Sequence, residues 1–276
     1  MISAANAAIE LADGWQRVTR TAVAWKFRDR RAAVATQART TIIRFPTWRT
    51  KDDAHPDGYD YGDAPLVDVI VRKTSRLREL ARIDDLLSGE QLLPTIAGVA
   101  AAGAAQPLRV LDFGGAAGSH FLVAKAAFPS RTMRWAVIET PAMAAAAAAK
   151  LGNDELRFYS DIAAAAVWLG RADLMHCDSA LQYAPEPEAA LDALIGLGAP
   201  AMLWARLMLA DRRERFIQTS RLKDNGPGPL PEGVADRAVS YPATRLPRAE
   251  FLAAHERAGY RLAWKARETH AFLFLR

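Results

Sequence analysis

Apolar residues near the start of the chain recur at steps of three and four positions. Within residues 9–34 the spacing holds for Trp15, Val18, Ala22 and Trp25. Basic residues fall on the opposite face, so the pattern predicts an amphipathic helix that docks on another surface. Helical spacing resumes over 66–87 and 91–102, after a stretch at 47–65 whose Pro, Gly and Asp residues indicate a loop.

From residue 108 onward the pattern changes to short apolar runs that alternate with helical segments. The apolar runs lie at 108–113, 133–139, 155–159, 172–177 and 200–207. The helical segments between them lie at 119–127, 141–151, 162–169 and 187–197. This alternation predicts βαβ units, and therefore an α/β domain of the Rossmann-like type with a parallel sheet.

The alternation stops after Leu207. Residues 212–244 are rich in Gly, Pro and charge, which indicates an insertion or a lid. A helical segment at 248–258 then leads to two runs at 260–267 and 271–275, which are close enough to form a C-terminal antiparallel hairpin.

Composition limits the class of protein. The 276 residues are 51% hydrophobic and 24% charged, which fits a helical N-terminal extension over 1–105 and one folded domain over 106–276. The single cysteine, Cys177, excludes an intrachain disulfide and belongs to no Cys/His cluster, so we expect a cytoplasmic, metal-free protein. No apolar stretch approaches the roughly 18 residues of a membrane span, and the first residues do not resemble a signal peptide.

The net charge of +5 arises from a basic stretch near the start of the chain. Its members are Arg17, Arg20, Lys26, Arg28, Arg30, Arg31, Arg39, Arg44, Arg49 and Lys51. We interpret the stretch as a solvated helix face, and RNA, an anionic lipid surface or an acidic partner protein remains the alternative. The nearby aromatic residues fit a docking face as well as base stacking, so we do not predict a nucleic-acid reader.

The strongest chemical signal is the segment 110–118, which reads VLDFGGAAG. An apolar strand ends at Asp112, and glycines then allow a tight turn into a helix whose free N–H groups favour an anion. The spacing of Gly114, Ala116 and Gly118 favours S-adenosylmethionine (SAM) over a nicotinamide cofactor, which would need GxGxxG. We therefore assign Asp112, Gly114, Gly115 and Gly118 to the cofactor; the alternative is a plain strand-to-helix turn with Asp112 as a cap.

The second signal is Glu139, which ends the next predicted strand 25 positions after Gly114. Beside the glycine loop at the carboxyl edge of the sheet, its carboxylate could accept hydrogen bonds from both ribose hydroxyls. The alternative is a surface glutamate that opens a helix, since Pro141 is a good helix start.

Polar residues also follow the third and fourth strands. Ser160 and Asp161 lie where the adenine of SAM is expected, but either could instead cap the helix that begins at residue 162. Asp178, at the mouth of the same cleft, is a further candidate for the cofactor.

Three residues are candidates for the chemistry at the acceptor: His120, His176 and Tyr183. A histidine there could act as a general base near neutral pH, and a structural role for both histidines is the alternative.

Taken together, these segments resemble a family of bacterial SAM-dependent methyltransferases. The similar segments are VLDFGG at 110–115, the acidic strand end at 137–139, LRFY at 156–159, the S-x-LQY segment at 179–183 and GYD at 58–60. The resemblance covers roughly residue 58 to the end of the chain. It implies a class I methyltransferase fold and SAM as the cofactor.

Two positions depart from that family pattern. His120 replaces an aromatic residue after the glycine loop, and Trp204-Ala205-Arg206-Leu207 replaces a polar turn. We therefore expect methyl transfer to a small-molecule acceptor of open identity, and the oligomeric state also stays open. The alternatives are a non-catalytic SAM-fold module that binds a partner, a nucleic-acid methyltransferase and, third, a nicotinamide oxidoreductase.

Overall fold

The computed structural model describes residues 61–79, 89–266 and 270–276. The predicted helix at 9–34, the basic stretch and most of the predicted loop at 47–65 lie outside these residues, so the extent of the helical extension stays a prediction. Within the described part of the chain, no helix combines the length and the hydrophobicity that crossing a bilayer requires.

Helices and strands alternate along most of the described chain. The helices are α1 (Ala64–Glu79), α2 (Gly89–Ala101), α3 (Ser119–Ala127), α4 (Pro141–Leu151), α5 (Ile162–Leu169), α6 (Pro187–Gly196) and α7 (Arg248–Arg257). The strands are β1 (Leu108–Phe113), β2 (Met133–Ile138), β3 (Leu156–Tyr159), β4 (Leu174–Asp178), β5 (Ala201–Ala205), β6 (Leu209–Ala210), β7 (Glu214–Arg221), β8 (Ala238–Pro247), β9 (Arg261–Ala266) and β10 (Ala271–Leu275). The predicted alternation is confirmed, and β1, α3, α4, α5 and β10 have the predicted bounds.

The main sheet has seven strands in the order β3-β2-β1-β4-β5-β10-β9. Strands β1 to β5 pair in parallel, whereas β10 runs antiparallel to both β5 and β9. The predicted α/β class with a C-terminal antiparallel hairpin is thereby confirmed. From β1 the chain adds strands on one side, and from β4 on the other, so β1 and β4 flank the switch point where open α/β sheets bind ligands.

Each face of the sheet carries its own apolar core. On one face, Leu111, Met175 and Trp204 pack with residues of α5, α6 and α7. On the other face, Val110 and Trp135 pack with residues of α2 and α3, and a further cluster joins α1 to α4. Side chains of one strand alternate between the faces, so each strand-end residue points toward one set of helices or the other.

The insertion at 212–244 contains strands that the sequence pattern did not reveal. Strand β7 pairs antiparallel with β8, and the short β6 completes a second, three-stranded sheet. Along β7, exposed and half-buried residues alternate with a period of two. That is the pattern of a strand with one solvated face, but charged residues on β7 and Pro242 within β8 obscured it.

Candidate functional site

A cleft opens at the carboxyl edge of the sheet, with about 440 Å³ of empty space when its open mouth is included. Its lining residues are Tyr61, Phe113, Gly114, Glu139, Thr140, Ser179, Ala180 and Tyr183. We call it the edge cleft. It includes three residues singled out in the sequence, namely Gly114, Glu139 and Tyr183, and it lies at the switch point of the sheet.

The glycine loop closely approaches the chain that follows β4. Gly114 has a left-handed backbone (φ +68°), and a Cβ added there would lie 2.1 Å from the Cβ of Ala180. The backbone N–H of Gly114 donates to the carbonyl of Ile138 at 2.8 Å, which attaches the loop to β2. Ala116 also has a left-handed backbone (φ 50°), so the alanine at the middle position adopts a conformation in which glycine is usual.

The other two glycines of the loop serve its packing. A Cβ on Gly115 would lie 2.3 Å from a carboxylate oxygen of Asp112, and one on Gly118 would lie 3.1 Å from Leu156. Neither glycine lines the edge cleft. Contact of either one with a cofactor therefore stays a prediction.

Replacing Gly114 with alanine should destabilise the protein more than the same change at Gly170. Both glycines have positive φ, +68° and +74°, but nothing lies within 4 Å of a Cβ added at Gly170. The backbone penalty is therefore shared, and Gly114→Ala should cost about 1–3 kcal/mol more because of the clash with Ala180. Urea unfolding of both variants measures this difference, and equal losses would show that the loop moves away freely.

Glu139 lies directly after β2 and is 7% exposed. Its Oε1 accepts from the backbone N–H of Ala116 at 3.0 Å, and its Oε2 accepts from that of Thr140 at 2.9 Å. Thr140 caps α4 by accepting from the N–H of Met143. Glu139 is therefore not a surface residue at a helix start. It connects the glycine loop to the end of β2 and lines the edge cleft.

Burial raises the pKa of Glu139 to about 7, although the two backbone N–H groups favour its ionised form. The carboxyl group therefore titrates near neutral pH.

Asp112 is fully buried beneath the glycine loop and does not line the edge cleft. Its carboxylate accepts from the indole N–H of Trp135 at 3.0 Å and from the Nδ1 of His120 and of His176 at 3.0 and 2.9 Å. Asp112 pairs in register with His176 on β4, and both side chains point to the face covered by α2 and α3. Because these donors occupy the carboxylate, Asp112 neither caps α3 nor has a free oxygen toward the cleft.

His120 continues this buried network toward β5. Its Nε2 lies 3.5 Å from Asp178, whose other oxygen accepts from the guanidinium of Arg206 at 2.6 Å. Carboxylates thus lie near both nitrogens of His120, and their negative charges favour the doubly protonated imidazole. Burial by itself lowers the pKa of His120, but Asp112 and Asp178 outweigh it and raise that pKa to about 10.

The same contacts change the pKa values of Asp112 and Asp178. Burial by itself raises the pKa of Asp112 and of Asp178, yet their cationic partners hold both well below the usual range. We call Asp112, His120, His176 and Asp178 the buried polar network; Arg206, which pairs with Asp178, is exposed.

The sequence suggested His120 and His176 as bases, and the network shows what they contact instead. His176 is fully buried, and its Nε2 lies 3.0 Å from the hydroxyl of Thr95 on α2. A base with no exposed surface has no path to an acceptor, and a doubly protonated His120 has no lone pair to offer. Both histidines therefore fit the structural role that the sequence left open.

Asp112, His120 and His176 also form the only group of potential metal ligands found among the described residues. In this arrangement each imidazole Nδ1 donates a proton to the Asp112 carboxylate, so a metal ion would have to displace both hydrogen bonds.

Three tyrosines from distant segments meet beside Glu139. The ring of Tyr61 lies 5.3 Å from that of Tyr183 and 4.7 Å from that of Tyr241 between centroids. The hydroxyl of Tyr183 donates to the side-chain carbonyl of Gln218 on β7 at 2.8 Å. Sequence reasoning found only Tyr183, because Tyr61 and Tyr241 stand in segments with no motif that marks them as site residues.

The polar pair after β3 stands apart from the edge cleft. Asp161 accepts from the N–H of Ala164 at 2.7 Å and so caps α5, which is the alternative that the sequence left open. Neither Ser160 nor Asp161 lines the cleft, and an adenine contact for either stays a prediction.

Comparisons with known proteins add resemblance in fold. No family model and no curated protein matches the chain. It is similar to an O-methyltransferase family protein from Burkholderia thailandensis, with 17% identity, 76% of this chain and 57% of that one covered, and a TM-score of 0.44. The chain thus spans little more than half of that protein.

Two other similar structures are also methyltransferases. A sugar N-methyltransferase from Streptoalloteichus has 17% identity over 89% of this chain and 98% of that one, with a TM-score of 0.40. Magnesium protoporphyrin IX methyltransferase from Synechocystis, with bound SAM, has 16% identity over 75% and 83%, with a TM-score of 0.42. Similarities this distant carry no information about activity or substrate.

Proposed function

We propose that this protein binds SAM in the edge cleft and transfers its methyl group to a small-molecule acceptor. The observation that carries the proposal is the position of Glu139, a buried carboxylate at the end of β2 that lines the cleft beside the glycine loop. A charged group is costly to bury, and a ligand with two hydroxyl donors would repay that cost.

The free valences of Glu139 fit a ribose. A carboxylate has about four lone-pair positions, and the backbone N–H groups of Ala116 and Thr140 use one on each oxygen. Each oxygen therefore keeps one position for a hydroxyl, which suits the neighbouring 2′ and 3′ hydroxyls of a ribose.

The aromatic lining fits the charge of the cofactor. When bound, SAM supplies an electrophilic methyl group on a positively charged sulfur. Phe113, Tyr61 and Tyr183 offer ring surfaces in the cleft, which exclude water and favour a nearby cation. Methyl transfer depends chiefly on alignment, so the main task of these residues is to position two ligands in a dry site.

We also propose a positioning role for the buried polar network. Asp112 holds the start of α3, through His120, against β2 and β4, and thereby shapes the turn at Gly115. Of the three candidates for acceptor chemistry, only Tyr183 lines the cleft. A non-catalytic SAM-binding module is the second candidate function, because both histidines are committed to the network.

Calorimetry with SAM, S-adenosylhomocysteine and NAD tests the cofactor class. We expect both SAM compounds to bind with dissociation constants between roughly 1 µM and 1 mM, and NAD not to bind. Binding of NAD alone would overturn the proposal. If both SAM compounds bind but no acceptor in a broad screen is methylated, the non-catalytic module is supported.

The affinity for SAM should depend on pH near neutrality. Glu139 accepts two hydroxyl hydrogen bonds only when ionised, and burial raises its pKa to about 7. Lowering the pH from 8 to 6 protonates it and should weaken binding about tenfold. Calorimetry across this range measures the effect, with Glu139→Ala as the control whose affinity should stay constant. A flat profile for the unmodified protein would contradict the ribose assignment.

A further inference from the structure

A second cleft of about 650 Å³ lies between the β7–β8 hairpin and the turn that follows β4. Phe216 and Ile217 on β7, Pro242 on β8 and Pro185 form much of its apolar lining. Ile217 is 48% exposed, which makes it one of the large apolar side chains that the described surface leaves open to solvent. We call this site the hairpin cleft.

One residue that lines the hairpin cleft, Gln182, carries a buried acceptor atom that finds no partner in the described part of the chain. Gln182 is 2% exposed. Its amide nitrogen donates to the carbonyl of Arg206 at 3.1 Å and lies 3.2 Å from the hydroxyl of Ser179. A carbonyl only accepts, so this contact fixes the orientation of the amide. The remaining atom, Oε1, is buried and has no hydrogen-bond partner among the residues that the structure describes.

Unpaired buried acceptors are rare in folded proteins because they cost free energy, and a bound group that donates a hydrogen bond removes that cost. A ligand with an O–H or N–H group would satisfy Gln182.

A cation also lines the same cleft. Arg215 is exposed and forms no ion pair within the residues that the structure describes, whereas Arg213 and Arg245 nearby are paired with Glu188 and Glu214. An anionic group on a ligand would find a free guanidinium there.

The two clefts are neighbours. Gln182 and Tyr183 are consecutive residues of the short 3₁₀ turn Leu181–Tyr183, and one lines the hairpin cleft while the other lines the edge cleft. The contact from Tyr183 to Gln218 joins this turn to β7. A molecule in the hairpin cleft is therefore separated from the edge cleft by a single turn of chain.

We propose that the hairpin cleft binds the body of the acceptor, a small aromatic or apolar acid that carries a hydroxyl or amino group. The apolar lining receives the body, Gln182 receives the hydroxyl or amino hydrogen, and Arg215 receives the acid. The role of this molecule as methyl acceptor rests on the proposed function, but its binding in the hairpin cleft does not.

Methyl NMR of the full-length protein, labelled at isoleucine δ1-methyl groups, tests the proposal with defined probes. The probes are 4-hydroxyphenylacetate, 4-aminophenylacetate, 3-hydroxybenzoate and anthranilate, with phenylacetate as the matched compound that lacks the hydrogen donor. We expect the first four to shift the signal of Ile217 in the cleft. Phenylacetate should bind roughly three- to tenfold more weakly than 4-hydroxyphenylacetate.

Variants then separate the two polar contacts. Arg215→Gln should weaken the acids roughly three- to tenfold, while Arg212→Gln, an exposed arginine that does not line the cleft, should leave binding unchanged. Gln182→Met should abolish the preference for 4-hydroxyphenylacetate over phenylacetate. If Gln182→Met does not fold, the comparison of Arg215→Gln with Arg212→Gln, both at exposed positions, still tests the proposal.

The outcomes for the two clefts are independent. SAM should shift the methyl signal of Ile138, which adjoins Glu139, and the acids should shift the methyl signal of Ile217. If SAM shifts the methyl signal of Ile138 but no acid shifts that of Ile217, the hairpin site alone is overturned. Shifts of Ile217 that persist undiminished in Arg215→Gln would overturn it as well. Acid binding at Ile217 with no response to SAM would uphold the site and refute the proposed function.

Discussion

Replacing Asp112 with asparagine should reduce the free energy of unfolding by about 3–5 kcal/mol, because the change leaves buried donors and a buried cation without their carboxylate. Asp112 is fully buried and accepts from Trp135, His120 and His176. An asparagine keeps the shape, but its amide hydrogens face N–H groups. The thermal midpoint should fall by roughly 6–20 °C.

The matched control is Asp161→Asn, the same substitution at the end of β3. Asp161 is half-buried and caps α5, and asparagine caps a helix as well as aspartate does. We expect a change of no more than about 0.5 kcal/mol there. Thr95→Val, which removes only the outer hydrogen bond to His176, should cost about 1–2 kcal/mol and remains measurable if Asp112→Asn fails to fold. Equal, small losses for Asp112→Asn and Asp161→Asn would show that the network contributes little.

The pH dependence of the free energy of unfolding is a second test of the buried polar network. The pKa of His120 is raised to about 10, so its contribution is fully present below the unfolded value of about 6.5. That contribution is lost as the pH rises through 10. The lowered pKa values of Asp112 and Asp178 act at the other end, where stability is lost only in strong acid. Unfolding free energies should therefore decline from pH 7 to 10, and more weakly in Asp112→Asn.

Replacing Glu139 with alanine should weaken SAM binding by roughly 10- to 150-fold. The range corresponds to a loss of about 1.5–3 kcal/mol, the contribution of one charge-assisted hydrogen bond to the ribose, at about 1.4 kcal/mol per tenfold change in affinity. Glu139→Gln should recover only part of the loss. An amide offers one oxygen, whereas the carboxylate here accepts from Ala116 with one oxygen and from Thr140 with the other.

Calorimetry measures the affinity, and circular dichroism checks that each variant is folded. Glu155→Ala provides a control. Glu155 lies directly before β3, where its carboxylate pairs with Lys125, and it does not line the edge cleft. Its affinity for SAM should equal that of the unmodified protein. A folded Glu139→Ala protein with unchanged affinity would remove the main support for the SAM proposal.

Local patterns in the sequence were sufficient for the order of elements. Short apolar runs, helical segments between them and glycines at the turn after β1 are properties of neighbouring residues. They placed the strands, most helix bounds and Glu139 at a strand end, because the carboxyl ends of parallel strands meet at one edge. The hairpin at β7 and β8 was not apparent, because a strand with a solvated face and a proline lacks a clear apolar period.

The sequence by itself thus determined the fold class and the edge of the sheet where we propose that a ligand binds, whereas the tertiary structure decided what each polar side chain contacts. Asp112 and His176 stand 64 positions apart, and only the register of β1 against β4 brings them together on the face away from the cleft. Tyr61 lines the edge cleft and packs against Tyr241, although 180 positions separate the two in the sequence. The period of a strand says that its side chains alternate, but burial against particular helices selects which of them meet.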